Sequence, residues 1–193
     1  FSPVEVEEPC PVVRYPGTVA HSEKIRILEE ADKKARSVTA SLKDIQLDFF
    51  DTDQRVLIAN SEGVWAEDRR VTSRIRFVPT IVNSYGSIGY FSDCAFPAGI
   101  EAFQDGAYLT RIETVIKDME ASLSADEAPS GRMTVILEGG DCTGTFFHEA
   151  CGHQFETNAL RRGGIFWDKR GQKIASEKVT LIDDGTIPGL YGS

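Results

Sequence analysis

Two of the chain's three histidines stand five residues apart in FFHEACGHQFE, residues 146–156, and a glutamate directly follows the first. Imidazole nitrogens converging on one point hold a zinc ion, and a carboxylate beside the first ligand is placed to take a proton from water at that point. His148 and His153 are therefore candidate metal ligands, Glu149 is the candidate general base, and Zn2+ is the candidate ion. The spacing raises a geometric problem. In the H-E-x-x-H signature of zinc peptidases the histidines lie four apart on one helix face, but here the pattern is H-E-x-x-x-H. On a regular helix, residues four apart differ by about 40° around the axis and residues five apart by about 140°. An unbroken helix cannot aim both rings at one ion. A single-turn π-bulge, or a helix end between the two histidines, repairs the angle, and Gly152, just before His153, is a residue type that permits it. The alternative is a pair of buried structural histidines.

Other residues near this segment carry weaker chemical signals. Glu156, three positions after His153, can orient a ligand from behind or replace one, and is otherwise an ordinary solvated glutamate. Cys142 and Cys151 flank the histidines, where a thiolate can complete a metal site but a small apolar residue packs equally well. The GGDCTG run, residues 139–144, lacks the closing Lys-Ser/Thr of a phosphate loop and reads as a turn, or as glycines that allow a close approach. Arg161 and Arg162 read as exposed residues at a helix end, with capture of a peptide carboxylate as the functional alternative. Asp183 and Asp184 read as turn residues, and His21 as an exposed residue near a helix cap.

The elements that must position these groups follow from the hydrophobic pattern. Ser22 is a candidate cap for a helix to about residue 37, with Ile25, Leu28, Ala31 and Ala35 on one face. From Ile45 apolar and polar residues alternate, interrupted by Asp-rich and Gly-containing breaks, which predicts antiparallel strands near 45–51, 54–60, 63–66 and 70–83. A glycine-rich link then leads to a helix over about 105–123, with Leu109, Ile112, Val115, Ile116 and Met119 as its core stripe. The apolar run MTVILE, residues 133–138, predicts a strand immediately before the histidine segment. The fold class is α+β: an antiparallel meander sheet with packed helices, and a metal-motif helix following a strand. Two regions are expected, residues 1–130 and residues 131–193.

Composition narrows the function. A formal charge of −9 over 193 residues opposes phosphate-backbone binding, so no direct nucleic-acid partner is expected. No apolar run reaches the length of about 18 residues that a membrane helix needs, and the acidic opening FSPVEVEEPC is not signal-like. The four cysteines form no zinc ribbon or small disulfide framework, so reduced thiols and a cytoplasmic location are expected, without a membrane partner. The chain opens on Phe1 and ends just after a turn-like DDGTIPGLYGS, which reads as a piece of something longer.

HEACGHQFE resembles the HEAxGHxxE segment of the TldD/PmbA metallopeptidases, the family also labelled modulators of DNA gyrase. MTVILE before a Gly-rich turn, RRGG after the histidines and VTLIDDGTIPGLYGS at the end agree with it in order. The resemblance is clearest over residues 131–193. It implies a zinc-dependent endopeptidase of extended or unfolded cytoplasmic peptides, with His148 and His153 as ligands, Glu149 as base and a cysteine from the carboxy-terminal half as third ligand. It also implies pairing, either as a homo-oligomer or with a homologous subunit. Gln154 departs from the family pattern, which often has Gly there. The alternatives are a non-catalytic partner or scaffold subunit of a peptidase complex and a metal-free structural binding domain.

Overall fold

Strict alternation along residues 71–81 determines the sheet. Val71, Ser73, Ile75, Phe77, Pro79 and Ile81 are buried, while the residues between them are only partly covered. This is the signature of a strand with one face on a core and one toward solvent. The computed structural model of the protein describes residues 2–4, 11–137, 139, 141–187 and 189–190. It separates into two units, residues 1–126 with 184–193, and residues 127–183.

In the first unit the order is β1 (Ser2–Val4), α1 (His21–Val38), β2 (Leu42–Ala59), β3 (Val64–Asn83), β4 (Gly86–Gly89), β5 (Ser92–Phe96) and α2 (Ala107–Leu123). β3 is the organising strand: it pairs antiparallel with β2 along its length and with β5 and β4 on its other edge, and β1 joins it in parallel at Val64–Ala66. Pro79 stands where that second edge passes between β4, whose last residue Gly89 lies opposite Thr80, and β5, whose first residue Ser92 lies opposite Phe77. Such a break in the ladder suits a residue with no N–H. The buried face packs on Ile27, Ala31 and Ala35 of α1 and on Tyr108, Ile112, Val115, Ile116 and Met119 of α2.

The α+β class and antiparallel sheet agree with the sequence reading, but several elements differ. The four expected strands are two long ones. The breaks expected at residues 52–53 and 67–69 lie inside the β2–β3 ladder, where Asp53 and Arg69 form a diagonal two-pronged pair at 2.7 and 2.6 Å. The β2–β3 turn is closed by Asn60, whose side-chain oxygen accepts from the N–H groups of Glu62 and Val64, and by Gly63 at φ 90°. The glycine-rich link contains β4 and β5. Helix α1 begins one residue before Ser22 with Ala20 at its cap position, so Ser22 caps nothing. Its inward stripe uses Ile27, while Ile25 is exposed.

One carboxylate ties down the chain ahead of α1. Glu101 Oε1 accepts from the N–H groups of Val13 and Gly99 at 3.0 and 3.1 Å, and Oε2 accepts from that of Arg14 at 3.1 Å. Burial disfavours its charge, but these backbone donors outweigh that cost and hold the carboxyl below its usual range. Gly99 is needed here, because a Cβ would sit 2.1 Å from the Arg14 carbonyl oxygen.

Among its described residues the second unit contains three short α-helices: α3 (Asp141–Phe147), α4 (His153–Phe155) and α5 (Thr157–Arg161). None of its described residues is buried, and Val135, Ile136, Ile165, Trp167 and Ile182 are well exposed. The expected strand over MTVILE does not form: residues 133–137 are irregular, and Glu138 lies outside the described residues. The run has strand composition, but no described segment pairs with it, and a strand is defined by its ladder.

Candidate metal centre

The break that the histidine spacing requires is present. Helix α3 passes at His148 into a π turn, His148–Gly152, and α4 resumes at His153. The His153 N–H donates to the His148 carbonyl, an i→i+5 bond that places residues five apart one above the other. As a result the two imidazole rings lie 4.3 Å apart between centroids, at 63° to each other.

Glu149 belongs to the same cluster. One donor atom from each of His148, Glu149 and His153 can be chosen so that all lie within 4.8 Å of one another. Two donors about 2.1 Å from a tetrahedral zinc are roughly 3.4 Å apart, so the group is more open than a zinc-bound set. A Glu149 oxygen is 3.6 Å from His153 Nε2. On the opposite side of that ring Nδ1 is 2.7 Å from Glu156 Oε1. Glu156 reaches it because the helix ends there: the backbone turns extended at Glu156, φ −63° and ψ 136°, with the side chain three residues from the ring it meets.

The alternative of buried structural histidines is not what the structure contains, since His148 is exposed and His153 half-exposed. Gly152 does not use its special freedom, because its φ of −57° and ψ of −50° are ordinary helical values. A Cβ there would meet His148 Nδ1 at 3.5 Å and the Phe147 carbonyl oxygen at 3.8 Å, both ordinary contact distances. The π turn therefore does not depend on a conformation reserved for glycine.

Among the described residues the group of possible metal-holding side chains consists of His148, Glu149 and His153. Cys151 is a half-exposed free thiol within the π turn, and the side chain of Cys142 is outside those described. In residues 139–144 a Cβ on Gly139 or Gly144 would meet nothing within 4 Å, so no described residue packs closely on either. Arg161 and Arg162 are exposed at the end of α5. The following glycines stop that helix: Gly163 takes φ 81°, and the Gly164 N–H bonds the Ala159 carbonyl at 2.9 Å. Asp184 closes a local turn by accepting from the N–H and hydroxyl of Thr186, which hold its carboxyl below the usual range. His21 is exposed at the start of α1. No signal in the residues pointed to the stacked Phe155 and Phe166 rings beside this segment, 4.9 Å apart, since nothing local couples residues eleven positions apart.

Two imidazoles with a carboxylate between them, on a helix re-registered so that donor atoms of all three come close, form a candidate metal-binding group. Comparison with known proteins gives the family. Residues 14–115 match the PmbA/TldA metallopeptidase central domain, and residues 130–193 match the PmbA/TldA metallopeptidase C-terminal domain. The chain belongs to the PmbA/TldD metallopeptidase family. It is 31% identical over 153 residues to "Metalloprotease MJ0996" of Methanocaldococcus jannaschii, covering 79% of this chain and 33% of that protein. It is 28% identical over 196 residues to a "Metalloprotease TldD homolog" of Haemophilus influenzae, covering 95% of this chain and 40% of the relative. A "Metalloprotease" of Methanothermobacter thermautotrophicus is 31% identical over 183 residues, covering 93% and 39%. The chain thus spans between a third and two fifths of the length of these relatives.

Proposed function

We propose that the protein is a zinc-dependent peptidase acting on extended or unfolded peptides, with His148 and His153 holding the ion and Glu149 serving as general base. The observation that carries this reading is the π turn, which makes a cluster of three donor groups out of a spacing that a regular helix would scatter. Zinc bound there supplies Lewis acidity for the scissile carbonyl and lowers the pKa of water beside it. The rest of the chemistry belongs to the chain. The Glu149 carboxylate faces the His153 Nε2 side of the cluster, takes a proton from the attacking water, and returns it to the amine nitrogen as the C–N bond breaks.

A catalytic zinc ordinarily has three protein ligands, and the family resemblance assigns the third to a cysteine supplied by further polypeptide. Pairing with a second copy or a homologous subunit and a cytoplasmic location belong to the same reading. No helix among the described residues is long and apolar enough to cross a membrane.

The test is cleavage of an unfolded polypeptide by the zinc-loaded protein, with and without a chelator, beside Glu149→Gln. The reading predicts that chelator and substitution each lower turnover by at least about 100-fold, with zinc still bound in the variant. Turnover that survives both would remove Glu149 and the metal from the mechanism.

A further inference from the structure

His153 lies between two carboxylates, and the two contacts differ in kind. Nδ1 is within hydrogen-bond distance of Glu156 Oε1 at 2.7 Å, whereas Nε2 is 3.6 Å from the nearest Glu149 oxygen, outside that range. An ionised carboxylate only accepts, so the close contact requires the proton on Nδ1. A neutral imidazole protonated on Nδ1 has its lone pair on Nε2, the nitrogen turned toward Glu149 and the centre of the cluster. His148 has no such arrangement. Its Nδ1 lies over Gly152, 3.5 Å from where a Cβ would stand, and among the described residues no side chain forms a hydrogen bond with it.

We infer that Glu156 is a positioning residue that fixes His153 in its Nδ1–H tautomer and ring orientation, so that Nε2 is presented as a ligand before any ion arrives. The inference rests on the metal-centre reading for its purpose, but not for its observable. Free imidazole side chains in water favour the Nε2–H form, so an Nδ1–H tautomer at His153 would be a departure imposed by the fold, and His148 provides an internal control. The local geometry favours it. Glu156 is three residues from His153, at a helix end, where the chain turn and not a distant packing contact aims the carboxylate. Carboxylate support of this kind raises the basicity of the ligating nitrogen, and its loss typically weakens metal binding by about 10–100-fold.

The experiment uses the metal-free chain with 15N-labelled histidine, at a pH where both imidazoles are neutral. Nitrogen–proton correlation spectra assign the tautomer of each ring in the unaltered protein, in Glu156→Ala and in Glu156→Gln. The expected result is Nδ1–H at His153, reversion toward Nε2–H in Glu156→Ala, retention in Glu156→Gln, whose amide oxygen still accepts, and no change at His148. Zinc titration of the same samples should show a loss of about 10–100-fold for Glu156→Ala and a smaller one for Glu156→Gln. A predominant Nε2–H form at His153 in the unaltered protein, or a tautomer indifferent to Glu156→Ala, overturns the inference even if zinc binds. The expected tautomers without zinc binding would uphold the positioning contact and overturn the metal-centre reading instead.

Discussion

Adding one alanine between Ala150 and Cys151 tests whether the π turn is what makes the centre. His148 and His153 lie one above the other because the turn closes i→i+5, with ring centroids 4.3 Å apart and the rings edge-on. With the insertion they stand six residues apart, which on a regular helix leaves them about 120° apart around the axis, so the rings would point away from each other on a cylinder roughly 10 Å wide. A π turn does not rescue them, since it superposes the fifth residue and not the sixth. One imidazole is lost from the site. Loss of a supporting carboxylate alone costs about 10–100-fold in affinity, so loss of a ligand should exceed 100-fold, or about 2.7 kcal/mol. Deleting Ala150 has the opposite logic. Four residues apart, the rings differ by about 40° on a regular helix, and zinc affinity should stay within about tenfold of the original. The assay is competitive zinc titration against a chelating dye, with circular dichroism to confirm that both variants fold. Unchanged affinity after the insertion, or a deletion as damaging as the insertion, would refute the reasoning.

Three further outcomes are expected. Glu101→Gln leaves at least one of the N–H groups of Val13, Arg14 and Gly99 facing an amide donor; chemical denaturation at neutral pH should show a loss of about 2 kcal/mol, and an unchanged midpoint would mean the clamp contributes nothing. Glu113 is hydrogen-bonded by Lys117 and Lys34, which hold its carboxyl at about 2; because the folded value is depressed, its contribution is fully present above the unfolded value of about 4.3. That contribution should fade as pH falls from there through about 2, and Glu113→Gln should flatten this part of the stability profile. Gly152→Ala should fold normally and keep zinc affinity within a few-fold, since the backbone is ordinary helix and the added methyl meets only a contact distance; a collapse of zinc binding there would restore a special role for the glycine.

The parts legible in the sequence were those written in local periodicity. Alternation over residues 70–83 and the stripe from Leu109 to Met119 identified the inward faces of β3 and α2, because each side chain's burial depends on its own position in the element. The five-residue histidine spacing called for a π-bulge or a helix end if the rings were to share an ion, and the structure has the π turn. Long-range pairings were not legible. Asp53 and its neighbours look like a turn until Arg69, sixteen residues on, is seen to meet Asp53 across the ladder. β4 and β5 are short and glycine-punctuated, and exist because β3 offers them an edge. The error over residues 133–137 runs the other way, with strand composition that no described partner completes. On α1, Ile25 and Ile27 are equally apolar, and the 27, 31, 35 spacing that decides between them depends on where the helix meets the sheet.

X-ray absorption spectroscopy at the zinc edge tests the central claim most directly, on the zinc-loaded chain and on His148→Ala and His153→Ala. Two imidazole nitrogens at about 2.0–2.1 Å are predicted in the unaltered protein, falling to one in each single variant. An imidazole count that stays the same in both variants would show that the ion sits elsewhere and that the cluster of His148, Glu149 and His153 is not a metal centre.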